Sequence, residues 1–202
     1  MILIIDYGMG NIHSVQKALE AQGAETIVSD NPDALKKADK LVLPGVGAFG
    51  DAMQELNKRR LVAPIIEEVK KKKPLLGICL GMQLFFENSE ESKGVKGLGL
   101  IKGSVKKFNL TRDLKVPHIG WNQISDFNAA CPLLKGIDNA ASVYFCHSYY
   151  PQAQDKSVCA AMTEYGIKFS SLVWQENIFG TQFHPEKSQK VGLKIIENFV
   201  KL

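Results

Sequence analysis

The 202-residue sequence lacks the marks of several protein classes. Its four cysteines form no C-x-x-C pair and have no H-x-x-x-H segment beside them, so we expect neither a structural zinc site nor disulfides. The net charge is only +4, without the clustered positive excess of a nucleic-acid-binding domain. The apolar run at residues 2–5 is too short to span a membrane and no basic segment precedes it, so no signal peptide is expected. These absences predict a cytoplasmic protein that binds no nucleic acid, membrane or metal.

The sequence also lacks a linker, an internal repeat and a low-complexity stretch. Its length is typical of one domain, because domains run to ~100–200 residues. We therefore expect a single domain over residues 1–202. Any chemistry that needs two active-site domains is then expected to use a partner chain.

The one dense run of charge is the four lysines of 70–73, which stand just before Pro74. A helix that ends there would place these cations at its negative end, which is a sufficient structural reason for them. We favour this interpretation over a phosphate-binding patch.

Short apolar runs alternate with helical periodicity in the first half. The pattern predicts strands at 2–5, 24–29, 41–43 and 75–78, with helices from Asn11 to Gly23 and around 51–72 and 81–88. Strands separated by helices indicate a parallel sheet that is covered on both faces.

The second half is rich in β-strand signals. Strands are predicted at 142–147, 157–164, 167–174 and 178–184, and an amphipathic helix near 188–201. The turns between these strands are short, which is typical of antiparallel neighbours. We therefore predict an α/β fold with an open, mostly parallel sheet flanked by helices and an antiparallel C-terminal extension.

The sharpest chemical feature is Cys79, which stands between Gly77 and Gly81 at the end of a predicted strand. A nucleophile elbow has this pattern, because small neighbours allow a strained strand-to-helix turn to expose its reactive side chain. The start of a helix also favours a thiolate. The alternative, a buried cysteine that only packs, does not require the two glycines.

A thiolate nucleophile needs a nearby base, and the base needs an orienting group. His184 ends an apolar strand, and Pro185 stops that strand two residues before the sequence reaches Glu186. We expect Glu186 to accept the Nδ1 proton of His184 while Nε2 faces Cys79.

The remaining histidines and cysteines have no such arrangement. We expect His13 to have no chemical role, whereas His118 and His147 could line a site without transferring a proton. Packing is the simplest role for the other cysteines, Cys131, Cys146 and Cys159.

A glycine-rich loop, Gly45 to Gly50, follows the third predicted strand and matches G-x-G-x-x-G. Taken alone, this pattern indicates a dinucleotide site. Its place after the third strand, with Pro44 before it, disfavours that interpretation. The alternative is an oxyanion hole formed by backbone N–H groups of this loop and of Leu80, and such donors can be worth ~3–4 kcal/mol each.

Together these residues resemble the class I (triad) glutamine amidotransferases. The specific match is Gly77-Ile-Cys79-Leu-Gly81 followed by His184-Pro-Glu186. Within the family the sequence is most similar to the glutaminase subunits of imidazole glycerol phosphate synthase. The motifs that narrow the resemblance are Asp6-Tyr-Gly-Met-Gly-Asn11, Pro44-Gly-Val-Gly-Ala-Phe-Gly-Asp-Ala-Met53, Pro117-His-Ile-Gly-Trp-Asn122 and Tyr144-Phe-Cys-His-Ser-Tyr149.

The resemblance implies a glutaminase with the catalytic triad Cys79, His184 and Glu186 and no cofactor. It implies an oxyanion hole from Leu80 and the glycine-rich loop. The residues assigned in this way are Leu80, Val46 and Gly47 for the oxyanion, and Gly45, Gln83, Ser148 and Tyr149 for binding the substrate glutamine. We also hypothesise that the loop switches activity, because glycine lets a peptide turn over at little cost.

The resemblance further implies a protein partner, a (β/α)8-barrel cyclase subunit that forms a heterodimer with this chain and uses its ammonia in histidine biosynthesis. Trp121 and Tyr144 resemble residues of the docking face, although each could be an ordinary half-buried aromatic. A glutaminase subunit of another synthase, a stand-alone γ-glutamyl hydrolase and an inactive or nucleotide-binding relative are the alternatives.

Overall fold

The computed structural model describes residues 1–110 and 114–202. In chain order its strands are β1 (Ile2–Ile5), β2 (Thr26–Ser29), β3 (Lys40–Leu43), β4 (Leu75–Ile78), β5 (Asn88–Ser89), β6 (Gly103–Lys107), β7 (His118–Gln123), β8 (Ser142–His147), β9 (Tyr149–Ala153), β10 (Cys159–Tyr165), β11 (Ile167–Gln175) and β12 (Ile178–Thr181). Its α-helices are α1 (Ile12–Glu20), α2 (Pro32–Lys37), α3 (Phe49–Lys58), α4 (Val62–Lys70), α5 (Leu80–Gln83) and α6 (Gln189–Val200).

The central sheet has seven strands in the order β10-β11-β12-β4-β3-β1-β2. The five strands from β12 to β2 are parallel to one another, whereas β11 and β10 add to them in antiparallel orientation. Two smaller sheets, β5-β6-β9 and β7-β8, stand apart from it. The predicted fold, a mostly parallel sheet with an antiparallel C-terminal extension, is confirmed.

Apolar side chains cover both faces of the central sheet, because successive residues of a strand point to opposite faces. In β1, Leu3 and Ile5 belong to one core cluster with residues of α3 and α4. Ile2 and Ile4 belong to the other cluster with residues of α1 and α6. Burial on both faces explains why the parallel strands read as continuous apolar runs.

The single helix predicted around 51–72 is wrong, since two helices, α3 and α4, occupy this region. Arg60 adopts a left-handed conformation with φ 56°. The N–H of Arg60 bonds to the carbonyl of Asn57, and that of Leu61 bonds to the carbonyl of Leu56. These paired bonds are a Schellman motif, which ends α3 before α4 begins.

The helix predicted at 81–88 is also too long, since α5 ends at Gln83. The carbonyls of Leu84 and Phe85 accept N–H groups from Leu98 and Ile101 instead of continuing the helix. Five elements were missed: α2, β5, β6, β7 and β9. The predicted strand at 157–164 begins at Cys159, and that at 178–184 ends at Thr181.

The lysine run has a structural partner. Helix α4 ends at Lys70, as the pattern predicts, and Glu68 is buried in its last turn. Lys71 and Lys73 each place Nζ 2.7 Å from a carboxylate oxygen of Glu68. The run therefore neutralises a buried carboxylate.

Within residues 1–110 and 114–202, none of the helices combines the length and the apolar composition that crossing a bilayer requires.

Candidate active site

Three neighbouring parallel strands carry the candidate catalytic segments at their carboxyl ends. Strand β4 lies between β3 and β12. The glycine-rich loop follows β3, Cys79 follows β4, and Gln182 to Glu186 follow β12. Because parallel strands end at the same edge of a sheet, these segments converge there.

Cys79 occupies a strained turn between β4 and α5, with φ 54° and ψ −108°. A Cβ atom at Gly81 would lie 1.8 Å from the Leu43 carbonyl oxygen, and one at Gly77 would lie 2.4 Å from Cζ of Phe85. Glycine is therefore required on both sides of Cys79. The structure has the elbow geometry that the sequence predicts, and strain of this kind costs on the order of 1–3 kcal/mol.

His184 lies beside Cys79 and is held by Glu186. Its Nδ1 atom is 2.9 Å from Oε1 of Glu186, and both side chains are almost fully buried. Burial favours the neutral ring, but hydrogen bonds to Cys79 and Glu186 and the negative charge of both outweigh it, so the pKa of His184 is raised. The imidazole is thus prepared to hold the proton of the Cys79 thiol.

A cleft of about 310 Å³ opens over Cys79. Eight of the predicted site residues line it, namely Val46, Gly47, Cys79, Leu80, Gln83, Ser148, Tyr149 and His184. Glu186 lies behind His184, and Gly45 is buried beneath the loop, where a Cβ would be 2.6 Å from the Tyr7 hydroxyl. Gly45 is therefore tightly packed and is not among the residues that line the cleft. Its role in binding glutamine stays a prediction.

The glycine-rich loop is fastened at its start by Tyr7, a fully buried residue. The Tyr7 hydroxyl donates to the Pro44 carbonyl at 2.8 Å, and burial with the nearby Cys79 raises the pKa of this hydroxyl. Gly47 has φ 98°, a conformation that favours glycine. The N–H of Leu80, the first in α5, has no acceptor within its helix and is free to meet an oxyanion in the cleft.

The same loop is fastened at its end by the segment after α5. The N–H groups of Phe49 and Gly50, which begin α3, donate to the Glu91 carboxylate at 2.7 Å and the Ser92 hydroxyl at 3.0 Å. A dinucleotide would need these N–H groups for its pyrophosphate. The side chains of Glu91 and Ser92 occupy them, which argues against the nucleotide interpretation of G-x-G-x-x-G.

One wall of the cleft is built from amides and main-chain groups. Gln83 Nε2 donates to the Tyr149 carbonyl at 2.9 Å and to Gln182 Oε1 at 3.1 Å. Gln182 Nε2 lies 3.7 Å from Sγ of Cys79. Gln83 thus holds the main chain at Tyr149, where β9 begins. Gln182 contacts the predicted nucleophile directly.

Trp121 and Tyr144 lie outside the cleft, on the two-stranded sheet β7-β8. They are cross-strand partners, with ring centroids 6.2 Å apart in an edge-to-face arrangement. Trp121 is 50% exposed and Ile119, on the same strand, is 58% exposed. We call the group formed by the exposed Ile119 and Trp121 with the half-buried Tyr144 the aromatic face.

Several residues that sequence reasoning did not assign also belong to the site. They are Tyr7, Glu91, Pro117, Cys146, Gln182 and Lys187. Pro117 and Cys146 stand within motifs that carried the family resemblance, so their position was a usable signal. His147, which the sequence offered as a residue that could line a site, does line the cleft. In the part of the chain that the structure describes, no group of three or more His, Cys, Asp or Glu side chains is placed to hold a metal ion.

Comparisons with known proteins show similarity along the whole chain. Residues 3–202 match the family model described as "Glutamine amidotransferase class-I". Imidazole glycerol phosphate synthase subunit HisH of Syntrophotalea carbinolica is 52% identical, over 98% of each chain. The HisH subunit of Methanocaldococcus jannaschii is 50% identical, over 100% of each chain.

Solved structures show the same fold at much lower sequence identity. A structure described as glutamine amidotransferase superposes with a TM-score of 0.77 at 16% identity and covers 100% of both chains. PurLQS from Thermotoga maritima gives a TM-score of 0.76 at 17% identity and covers 99% of this chain and 97% of its own. On the family match and the full-length identity, the chain belongs to the class-I glutamine amidotransferases.

Proposed function

We propose that this protein is the glutaminase subunit of an imidazole glycerol phosphate synthase, with Cys79, His184 and Glu186 as its catalytic triad. The observation that carries the proposal is the cleft in which the strained Cys79 elbow meets a buried His184 that is paired with Glu186. Full-length relatives at about 50% identity, all named as HisH subunits, support the choice of synthase.

The first half of the reaction forms a thioester. The Cys79 thiolate attacks the side-chain carboxamide carbon of glutamine, so a C–S bond forms and the carbonyl oxygen becomes an oxyanion. The N–H of Leu80 and an N–H of the loop at Val46 or Gly47 stabilise this charge. The C–N bond then breaks, and His184 gives its proton to the departing nitrogen, which leaves as ammonia.

The second half hydrolyses the thioester. His184, now neutral, takes a proton from water as the water oxygen attacks the thioester carbon. The C–S bond breaks, glutamate leaves, and the Cys79 thiolate and protonated His184 are restored. Glu186 keeps the imidazole oriented through both halves, because its carboxylate accepts a hydrogen bond from the Nδ1–H group.

We propose that the aromatic face binds the cyclase partner, a (β/α)8 barrel. The face adjoins the cleft through Ile119, whose cross-strand partner Cys146 lines it. Val46, which also lines the cleft, is 43% exposed, and Val116, which precedes the lining residue Pro117, is 39% exposed. Exposed apolar side chains that surround a reactive cleft are typical of an interaction site. A partner seated there would cover the cleft and receive ammonia before it reaches bulk water.

We also propose that residues 1–202 form one domain and that the protein works in the cytoplasm. The family match spans residues 3–202, and the two core clusters share the central sheet. All four cysteines are free thiols, and thiolate chemistry is suited to a reducing compartment.

Glutamate release from glutamine tests the proposed function. The chain is assayed alone, with the purified cyclase subunit, and with the cyclase and its nucleotide substrate. We expect release to rise strongly with the loaded cyclase and to be abolished in Cys79→Ala, whereas Cys159→Ala, which changes a cysteine on β10, retains it. Equal release with and without the cyclase would instead identify a stand-alone hydrolase or a subunit of another synthase.

A further inference from the structure

Two buried histidines adjoin each other at the cleft: His147 lines it, and His118 does not. His118 of β7 and His147 of β8 are cross-strand partners, and each is at least 94% buried. The His118 ring is stacked between Phe145, at a centroid distance of 4.7 Å, and Tyr165, at 4.0 Å. Neither histidine takes part in the triad chemistry described above.

The two rings belong to a chain of hydrogen bonds with one possible direction. His147 Nδ1 lies 2.8 Å from the Tyr149 carbonyl, which can only accept, so this nitrogen carries a proton. In the neutral ring Nε2 is then an acceptor, and it lies 3.0 Å from His118 Nδ1, which must donate. His118 is consequently also protonated at Nδ1.

At the other end of this series of hydrogen bonds, Asn122 independently requires the same donor and acceptor roles. Asn122 accepts the N–H of Gln123 at its Oδ1 atom, at 2.8 Å, and donates from Nδ2 to the Glu164 carbonyl, at 2.9 Å. These two contacts settle the orientation of the amide. The remaining Nδ2 proton points to His118 Nε2 at 3.3 Å, so that nitrogen must be an acceptor.

A proton added to either ring would leave two donors facing each other without an acceptor. On Nε2 of His147 it would face the Nδ1–H of His118, and on Nε2 of His118 it would face the Nδ2–H of Asn122. Burial also disfavours the charge, and the pKa is lowered to about 4 for His118 and to about 3 for His147. Both rings are therefore neutral.

This series of hydrogen bonds ends at the carbonyl oxygen of Tyr149, a residue that lines the cleft. The Tyr149 carbonyl accepts from His147 and from Gln83 together, and Gln83 in turn donates to Gln182 beside Cys79. Ser148 and Tyr149 line the cleft, as Cys79 and His184 do. The position of their main chain depends on two donors that approach the same carbonyl.

We propose that His118 and His147 are positioning residues, which as neutral Nδ1–H tautomers hold the Ser148–Tyr149 main chain where glutamine binds. The proposal rests on the proposed function for the identity of the ligand. The tautomers themselves do not depend on it. Because the wall contacts glutamine in the ground state and in the transition state alike, its displacement changes KM and leaves kcat nearly unchanged.

Substitutions at His147 test the kinetic part, with the glutaminase assayed in the presence of the loaded cyclase. Asparagine places an amide N–H near the position of Nδ1, whereas leucine removes the donor. We expect His147→Leu to raise KM for glutamine about tenfold, as the loss of one hydrogen bond suggests, and His147→Asn to stay within about threefold of wild type. Equal KM values for these variants, or a loss confined to kcat, would overturn the proposal.

The tautomers of His118 and His147 are measured on the wild-type protein, so this second test does not depend on whether a variant folds. Long-range ¹H–¹⁵N correlation spectra at pH 7 are expected to show both rings neutral, with Nδ1 protonated and Nε2 unprotonated. A charged ring or an Nε2–H tautomer at either position would overturn the proposal. Absence of glutamate release by the wild-type complex would instead overturn the proposed function, and the spectra would still decide the hydrogen-bond chain.

Discussion

Nδ1 of His184 and Oε1 of Glu186 lie 2.9 Å apart in a site that is closed to solvent on their side. The carboxylate and the Cys79 sulfur together raise the pKa of His184 against the effect of burial. This pairing sets both the orientation of the imidazole and its ability to hold a proton.

Glu186→Gln keeps the size of the side chain and removes its charge. We expect kcat for glutamine hydrolysis to fall roughly 10²-fold, at the lower end of what general acid–base catalysis contributes, because the imidazolium loses its stabilising carboxylate. Glu197→Gln, on the exposed part of α6, is the matched control and should leave kcat unchanged. Steady-state kinetics with the loaded cyclase measures both variants, and an unchanged kcat in Glu186→Gln would contradict the role of the pair.

Tyr7 fastens the start of the glycine-rich loop through the Pro44 carbonyl. In Tyr7→Phe this buried carbonyl has no donor, and we expect the free energy of unfolding to fall by about 1–3 kcal/mol. We also expect kcat to fall with little change in KM, because oxyanion donors act mainly in the transition state. Urea unfolding and steady-state kinetics check the two effects. A raised KM with normal kcat would show that the loop binds substrate instead.

The ion pairs of Glu68 with Lys71 and Lys73 predict that the free energy of unfolding depends on pH. Hydrogen bonds from Lys71 and Lys73 lower the pKa of Glu68 in the folded protein. The contribution of Glu68 to stability is therefore fully present above the pKa that it has in the unfolded state, about 4.3. It is lost as the pH falls through the lowered pKa of the folded state. In Lys73→Met we expect the free energy of unfolding to fall by about 1–3 kcal/mol at pH 7.

The difference between Lys73→Met and wild type should shrink once Glu68 is protonated at acid pH. Lys72→Met is the control, because Lys72 pairs with Glu176 in an exposed contact that contributes little. Urea unfolding across the pH range measures all three proteins. A loss in Lys73→Met that is independent of pH would exclude the ion pair as its cause.

Trp121 is expected to contribute strongly to binding the cyclase, since an exposed aromatic anchor is typical of an interface hot spot. Trp121→Ala should weaken binding of the cyclase by roughly 30-fold or more, which corresponds to a loss of ~2 kcal/mol. The control is Ile27→Ala, which removes an exposed apolar side chain on the edge strand β2. Calorimetric titration gives both affinities, and equal affinities would place the partner elsewhere.

The sequence predicts the elements whose signals are local. The strand at 2–5 and the strand at 75–78 are found at the predicted bounds, because their residues are buried on both faces and form unbroken apolar runs. The elbow at Cys79 and the pairing of His184 with Glu186 are also local patterns, each within five residues. This is why the core of the candidate site could be predicted.

The missed features depend on contacts between distant parts of the chain. Tyr7 is 37 residues from Pro44, and Gln182 is 103 residues from Cys79, so no spacing in the sequence relates them. Helix α2 has only six residues, of which Leu35 alone is buried, and it begins at Pro32 after a cap from Asn31. The end of α5 is likewise decided by N–H groups from residues 98–101, which no helix propensity records.

The most direct test of the account is the site of covalent attachment during turnover. The protein is mixed with glutamine and the loaded cyclase, quenched in acid, and digested for peptide mass spectrometry. The account predicts a γ-glutamyl thioester on the peptide that contains Cys79, and none on Cys146, the other cysteine that lines the cleft. A γ-glutamyl group on Cys146, or glutamate release with no acyl group on Cys79, would contradict it.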